Sequence, residues 1–135
     1  MKRRSIVVTF LLLAFVITAW IFVRHRSDNA QRAQREHIYE ARLAYYSKLL
    51  PPGMTREAVD NYLHNHGVLY RSRTIGPLTD DLIGIAREPS LVMYCSWLDV
   101  SVQIEYLSAS DGSSEPQPED RIRNVKLDRQ LQNCL

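Results

Sequence analysis

His64 and His66 are the only histidines close together in the sequence, and Cys95 and Cys134 are the only cysteines. On a strand, residues two apart point the same way and such a histidine pair could share a metal ion. On a helix the same pair diverges by about 200°. The residues around them favour a helix, so no metal site is expected, and His66 reads as a helix-end or core histidine. Cys95 would act as a nucleophile only as a thiolate, which needs a nearby cation or a helix N-terminus. It stands instead in an apolar stretch between Tyr94 and Trp97. There is no Gly-x-Ser-x-Gly elbow, phosphate-binding loop, dinucleotide fingerprint or His-Glu-x-x-His. The sequence therefore implies no catalytic residue, no cofactor and no metal. A small enzyme or metal-binding protein using His64, His66 or Cys95 is the alternative.

The cysteines leave two readings open. A bridge between Cys95 and Cys134 would close a loop of about 40 residues, contribute roughly 4 kcal/mol on the chain-entropy model, and require an oxidising compartment. The other reading is two separate buried thiols.

The elements that position these residues follow from local chemistry. Thr55 is a good N-cap, Glu57 lies in the first turn at the positive end of the helix dipole, and Gly67 suits the left-handed residue that closes the last turn. Val59, Leu63 and His66 share one face of that helix, with Ala58 and Tyr62 beside them. Before it, Ile38, Ala41, Tyr45 and Leu49 follow helical spacing until Leu50-Pro51-Pro52-Gly53 stops the helix. The more polar residues 28–35 read as a stalk. After Gly67 the pattern is of strands: 68–73 and 82–86 flank a turn at Gly76-Pro77, and Glu88-Pro89-Ser90 breaks the chain before 91–97. Residues 100–106 alternate, with Val100, Val102, Ile104 and Tyr106 on one face and Ser101, Gln103 and Glu105 on the other. Residues 108–120, rich in Pro, Ser and acids, read as a mobile connection. The closing strand 122–127 puts Ile122 out of phase with Val125 and Leu127 unless a bulge intervenes. Helices followed by strands predict an α+β fold, two helices packed on an antiparallel sheet of about four strands.

Residues 6–23 carry no charge and are flanked by Lys2, Arg3 and Arg4 before and Arg24, His25 and Arg26 after. A helix of that length rises about 27 Å, near the thickness of a bilayer core. Thr9 and Thr18 can bond back to the preceding turn, and Trp20 suits an interfacial depth. The expectation is an uncleaved transmembrane anchor contacting lipid, because only Ile17 and Ala19 could flank a signal cleavage site and the apolar run continues past them. The expected organisation is an anchor over 1–26, a stalk over 27–37 and a globular domain over 38–135. Basic residues on both sides of the span leave its orientation undecided.

The overall net charge of +2 conceals an asymmetry: from Ser27 onward twelve basic residues face fifteen acidic ones, a net charge of −3. A mildly acidic domain lacks the basic footprint of nucleic-acid binding. The seven tyrosines (Tyr39, Tyr45, Tyr46, Tyr62, Tyr70, Tyr94 and Tyr106) are either a binding face or core margins with a wet hydroxyl.

The run from Leu49 to Gly67, containing Gly53-Met54-Thr55, the acidic Glu57, then Val59 and Leu63, resembles the helix-opening motif of the SmpA/BamE-like superfamily. Members are small bacterial envelope modules with two helices on an antiparallel sheet, a shape shared with β-lactamase inhibitor proteins. The resemblance implies an extracytoplasmic domain and an interaction role with another envelope protein. The chain departs from the lipoprotein members in having an apolar N-terminal segment, and no contact residue beyond the helix opening carries over. The expected function is a single-pass, membrane-anchored, non-catalytic interaction module at the cytoplasmic membrane.

Overall fold

The computed structural model describes residues 2–75, 78–92, 94–108 and 116–134, and within them the side chains except at 2–11, 75 and 78. The expected turn at Gly76-Pro77 and residues 109–115 of the expected connection lie outside the described residues. Two helices, α1 (Lys2–Leu49) and α2 (Arg56–Asn65), precede four strands, β1 (Tyr70–Ile75), β2 (Leu78–Pro89), β3 (Cys95–Leu107) and β4 (Arg121–Cys134). The strands form one antiparallel sheet in sequence order, so the fold is α+β. The chain divides into two compact units, Met1–Ile38 and Tyr39–Leu135.

The first unit corrects the expectation of a transmembrane helix. Among the described residues no helix is long and apolar enough to cross a membrane. An 18-residue window starting at Leu12 already takes in Arg24, Arg26 and Asp28. The side chains of residues 6–11, which completed the expected span, lie outside the described set, as does that of Thr9. Thr18 does bond back, donating to the carbonyls of Ala14 and Phe15 at 3.0 and 2.9 Å. The Arg24 guanidinium lies over the Trp20 ring, 5.3 Å from its centre. Residues 27–37, the expected stalk, are helical and belong to α1.

In the second unit the buried face of α1 is offset by one position from the expected stripe. Tyr39, Tyr46 and Leu50 are buried, while Ile38 and Tyr45 are exposed and Leu49 of the expected stripe packs against the core. Both sets follow helical spacing; the offset set also brings Leu43 against the core.

Helix α2 begins and ends as its capping residues dictate. The Thr55 hydroxyl accepts from the Ala58 amide at 3.4 Å, and the Val68 and Gly67 amides bond back to the Leu63 and His64 carbonyls at 2.9 and 3.1 Å. That pair of bonds needs a left-handed residue, supplied by Gly67 at φ +63°. Thr55→Ala should therefore cost about 1 kcal/mol, read as a lower urea midpoint of the full chain. An unchanged midpoint would show that this cap adds nothing.

Val59 and Leu63 from α2 and Tyr46 and Leu50 from α1 meet Ile83, Val102, Ile104, Tyr106 and Ile122 of the sheet in one core. Ile122 reaches it because the register shifts between Glu105 and Tyr106: Glu105 faces Asn124 and Tyr106 faces Ile122, leaving Arg123 as the extra residue of a bulge. Strand β2 runs through Glu88 and Pro89, and β3 starts at Cys95, so the expected break and the separate 91–97 strand are replaced by a connection over 90–94. Pro89 is tolerated as the last residue of its strand. The closing strand extends to Cys134, well past Leu127.

On the face of the sheet turned away from the helices, side chains of the two edge strands meet. Arg73 of β1 bonds Asp128 of β4 at 3.2 Å, and Arg71 bonds Gln130 at 3.4 Å. These arginines close over a trough in which Leu82, Ser101 and Gln103 are buried. For this reason β3 is buried on both faces at its centre rather than half-buried as its alternation suggests.

Candidate functional site

The Gly53-Met54-Thr55 motif folds against the start of β4. Gly53, at φ +89°, donates its amide to the Ile122 carbonyl at 2.8 Å, and the Ile122 amide bonds the Met54 carbonyl at 2.9 Å. Thr55 forms a bridge with Arg121, whose side chain donates to the Gly53 carbonyl at 3.0 Å. The first amides of α2 then bond carbonyls before β4: Arg56 to Asp120 at 2.7 Å and Glu57 to Pro118 at 3.1 Å. These contacts satisfy amides that a helix start leaves without intrahelical partners. The described contacts of the motif are thus structural, fixing α2 and β4 together, while Val59 and Leu63 are fully buried in the core.

Beneath that junction lies a polar cluster absent from the sequence-based expectations. The Arg56 guanidinium is 2.5 Å from the Asp81 carboxylate and 3.2 Å from the Ser72 hydroxyl, which itself donates to Asp81 at 2.6 Å. Arg56 and Asp81 are 5 % and 0 % exposed. The guanidinium also sits 4.7 Å from the centre of the Tyr106 ring. Burial pushes the Asp81 carboxyl above its ordinary value, opposed by the Ser72 hydrogen bond and the Arg56 charge. Burial first and the Asp81 charge second push the Tyr106 phenol up. Tyr70 donates to Asp60 at 2.9 Å, and its phenol is raised by burial and then by that bond. Arg56 could have been noticed as the first member of a stripe with Val59 and Leu63, but an arginine at a helix start ordinarily reads as solvated. Asp81 carries a similar signal, one pleat repeat from Ile83.

His64 is exposed at the end of α2, and His66 caps the helix with its ring stacked on Tyr62 at 4.1 Å and Nδ1 2.8 Å from the Tyr62 carbonyl. The structure does not bring either histidine to Cys95, and among the described residues no group of three or more His, Cys, Asp or Glu could hold a metal ion. Cys95 is bonded to Cys134, with Cα atoms 4.0 Å apart in direct register between β3 and β4. Of the two readings left open for the cysteines, the bridge is the one found.

Exposed apolar side chains gather near the cystine. Leu91, Val92 and Tyr94 occupy the β2–β3 connection, and Trp97, 40 % exposed, lies opposite Pro89 and Gln132. An open hollow of about 480 Å³ lies nearby at the β2 bulge, lined among others by Arg71, Leu82, Gly84, Arg87 and Asp99. Arg87 and Asp99 bond bidentately across it at 2.6 and 3.0 Å, which holds the Asp99 carboxyl below its ordinary value. A second hollow of about 500 Å³ lies beside Glu57, Asp60 and Asn61 of α2. Comparison with protein-family models, curated proteins and solved structures gives no match.

Proposed function

We propose that the unit from Tyr39 onward is a non-catalytic interaction module that works outside the bacterial cytoplasm and contacts another envelope protein. The observation that carries this reading is the exposure of Leu91, Val92, Tyr94 and Trp97, all within four residues of Cys95 and its bond to Cys134. Contiguous exposed apolar side chains mark interaction sites, and aromatic anchors on a rigid support contribute most to binding. The bond tethers β3 to β4 at the end of the sheet where the cluster lies. Persistence of such a bond favours an oxidising compartment. The likeness of the helix opening to SmpA/BamE-like envelope modules supports the same reading.

The test is a photo-crosslinking residue placed at Trp97 of the full chain in its native cell, with a control at Asn61 on α2. The expected result is a discrete adduct with one other envelope protein from position 97 and none from position 61. The same adducts from both positions, or none from 97, would overturn the proposal.

A further inference from the structure

Strand β2 outruns its neighbour: it continues to Pro89, while β1 begins only at Tyr70, opposite Ile83. The hollow of about 480 Å³ opens just past that point, around Gly84. Glycine weakens a strand interior, and it commonly marks a bulge or a place where another group approaches closely. The bulge between Gly84 and Ala86 does not require it, since the φ of Gly84 lies outside the left-handed region. Packing does not require it either, because a Cβ at this position would meet no atom within 4 Å beyond its chain neighbours. Gly84 therefore keeps open a space that the fold itself does not need.

Two guanidinium groups line that space. Along the strand direction Gly84 lies between the level of Arg71, which faces Leu82, and that of Arg87, which faces Asp99. Arg87 gives Nε and Nη2 to the Asp99 carboxylate at 2.6 and 3.0 Å, engaging both of its oxygens. Arg71 gives Nη2 to Gln130 at 3.4 Å. Nη1 of Arg87, with Nε and Nη1 of Arg71, has no hydrogen-bond acceptor among the described residues. Two arginines and one aspartate give the hollow a net charge of +1, although the chain from Ser27 onward carries −3.

We infer that the hollow receives a carboxylate side chain of a protein partner, carried beside an aliphatic residue. The inference rests on the interaction module proposed above and supplies the chemistry of its partner. A planar guanidinium suits a carboxylate because its N–H groups meet the two oxygens in parallel. The space over Gly84 admits such a group between the two arginines, whereas a lysine or arginine there would meet like charge. The adjoining aliphatic residue packs on Leu69, which is 90 % exposed at the rim. Trp97 shares the face of β3 that carries Asp99 and Ser101, so a segment laid across the hollow continues towards the exposed aromatic.

The test is amide nuclear magnetic resonance of the full chain in a non-ionic detergent, titrated with a short blocked peptide carrying glutamate between two leucines. The Gly84 and Ser101 amides should shift with this peptide and stay fixed with its glutamine counterpart. Arg71→Gln and Gly84→Val should each weaken binding roughly tenfold, the first by removing charged donors and the second by filling the space. Gly84→Val should leave the urea midpoint undiminished, because its Cβ meets open space and strands favour β-branched residues. Equal shifts with both peptides, unaltered binding by either variant, or a lower midpoint for Gly84→Val would each overturn the inference. Adducts from position 97 together with no binding of the glutamate peptide would overturn it and leave the interaction module in place.

Discussion

Removal of the Cys95–Cys134 bond is expected to destabilise the globular unit by about 4 kcal/mol. The bond joins residues 39 apart, and releasing a loop of that size returns the corresponding entropy to the unfolded chain. In a unit of this size that corresponds to a fall on the order of 20 °C in melting temperature. The check is thermal and urea unfolding of the full chain with Cys95→Ser/Cys134→Ser, beside the parent protein with and without reductant. Equal midpoints for all three would show that strand pairing alone fixes this end of the sheet. The same sample serves a second purpose: protein taken from its native compartment and denatured without reductant should show no free thiol.

The second large effect is expected at the buried ion pair. Arg56→Ala leaves the Asp81 carboxylate without its cationic partner in an environment that excludes water, a change that typically costs about 3–5 kcal/mol. Arg56→Met/Asp81→Leu removes both charges and should recover most of that loss, since an apolar pair of similar volume need not be worse than the ion pair. A double variant no more stable than Arg56→Ala would place the importance of Arg56 in its packing over Tyr106 instead. The pH dependence follows from the raised Asp81 carboxyl. A group whose folded value lies above its ordinary 3.8 contributes stability that is full below that value and is lost as pH rises through the folded one. Against Asp81→Asn, the parent chain should therefore gain relative stability as the solution is acidified through that window.

What the sequence reveals here depends on whether a residue's local role and its tertiary role agree. Thr55 and Gly67 act on backbone groups within a turn of themselves, so both ends of α2 are legible, and the alternation of Val100, Val102, Ile104 and Tyr106 correctly places the core face of β3. The cystine was legible only as one of two options, because sequence separation says nothing about Cα distance. Arg56 and Asp81 were missed because each is ordinary at the surface, and only the fold brings them together. Strand β4 was cut short at Leu127 because Asp128, Arg129, Gln130 and Gln132 do not read as a strand; Asp128 and Gln130 are stabilised there by arginines reaching across from β1. The buried stripe of α1 was misplaced by one residue since two overlapping helical periods exist and packing chooses between them. The transmembrane expectation is not met, because among the described residues no helix is long and apolar enough to cross a membrane.

The position of the cystine also determines how the unit bears mechanical load. Tension applied to the chain beyond Cys134 passes through the sulfur atoms directly into Cys95, so residues 96–133, including almost all of β3 and β4, are shielded from it. The ladder between those strands cannot be peeled open from that end, whatever the pulling rate. Force arriving there is carried instead along the backbone from Cys95 towards β2, and the first noncovalent contacts to yield are those flanking the β2–β3 connection. Under reducing conditions the same pull would unzip β4 one residue pair at a time.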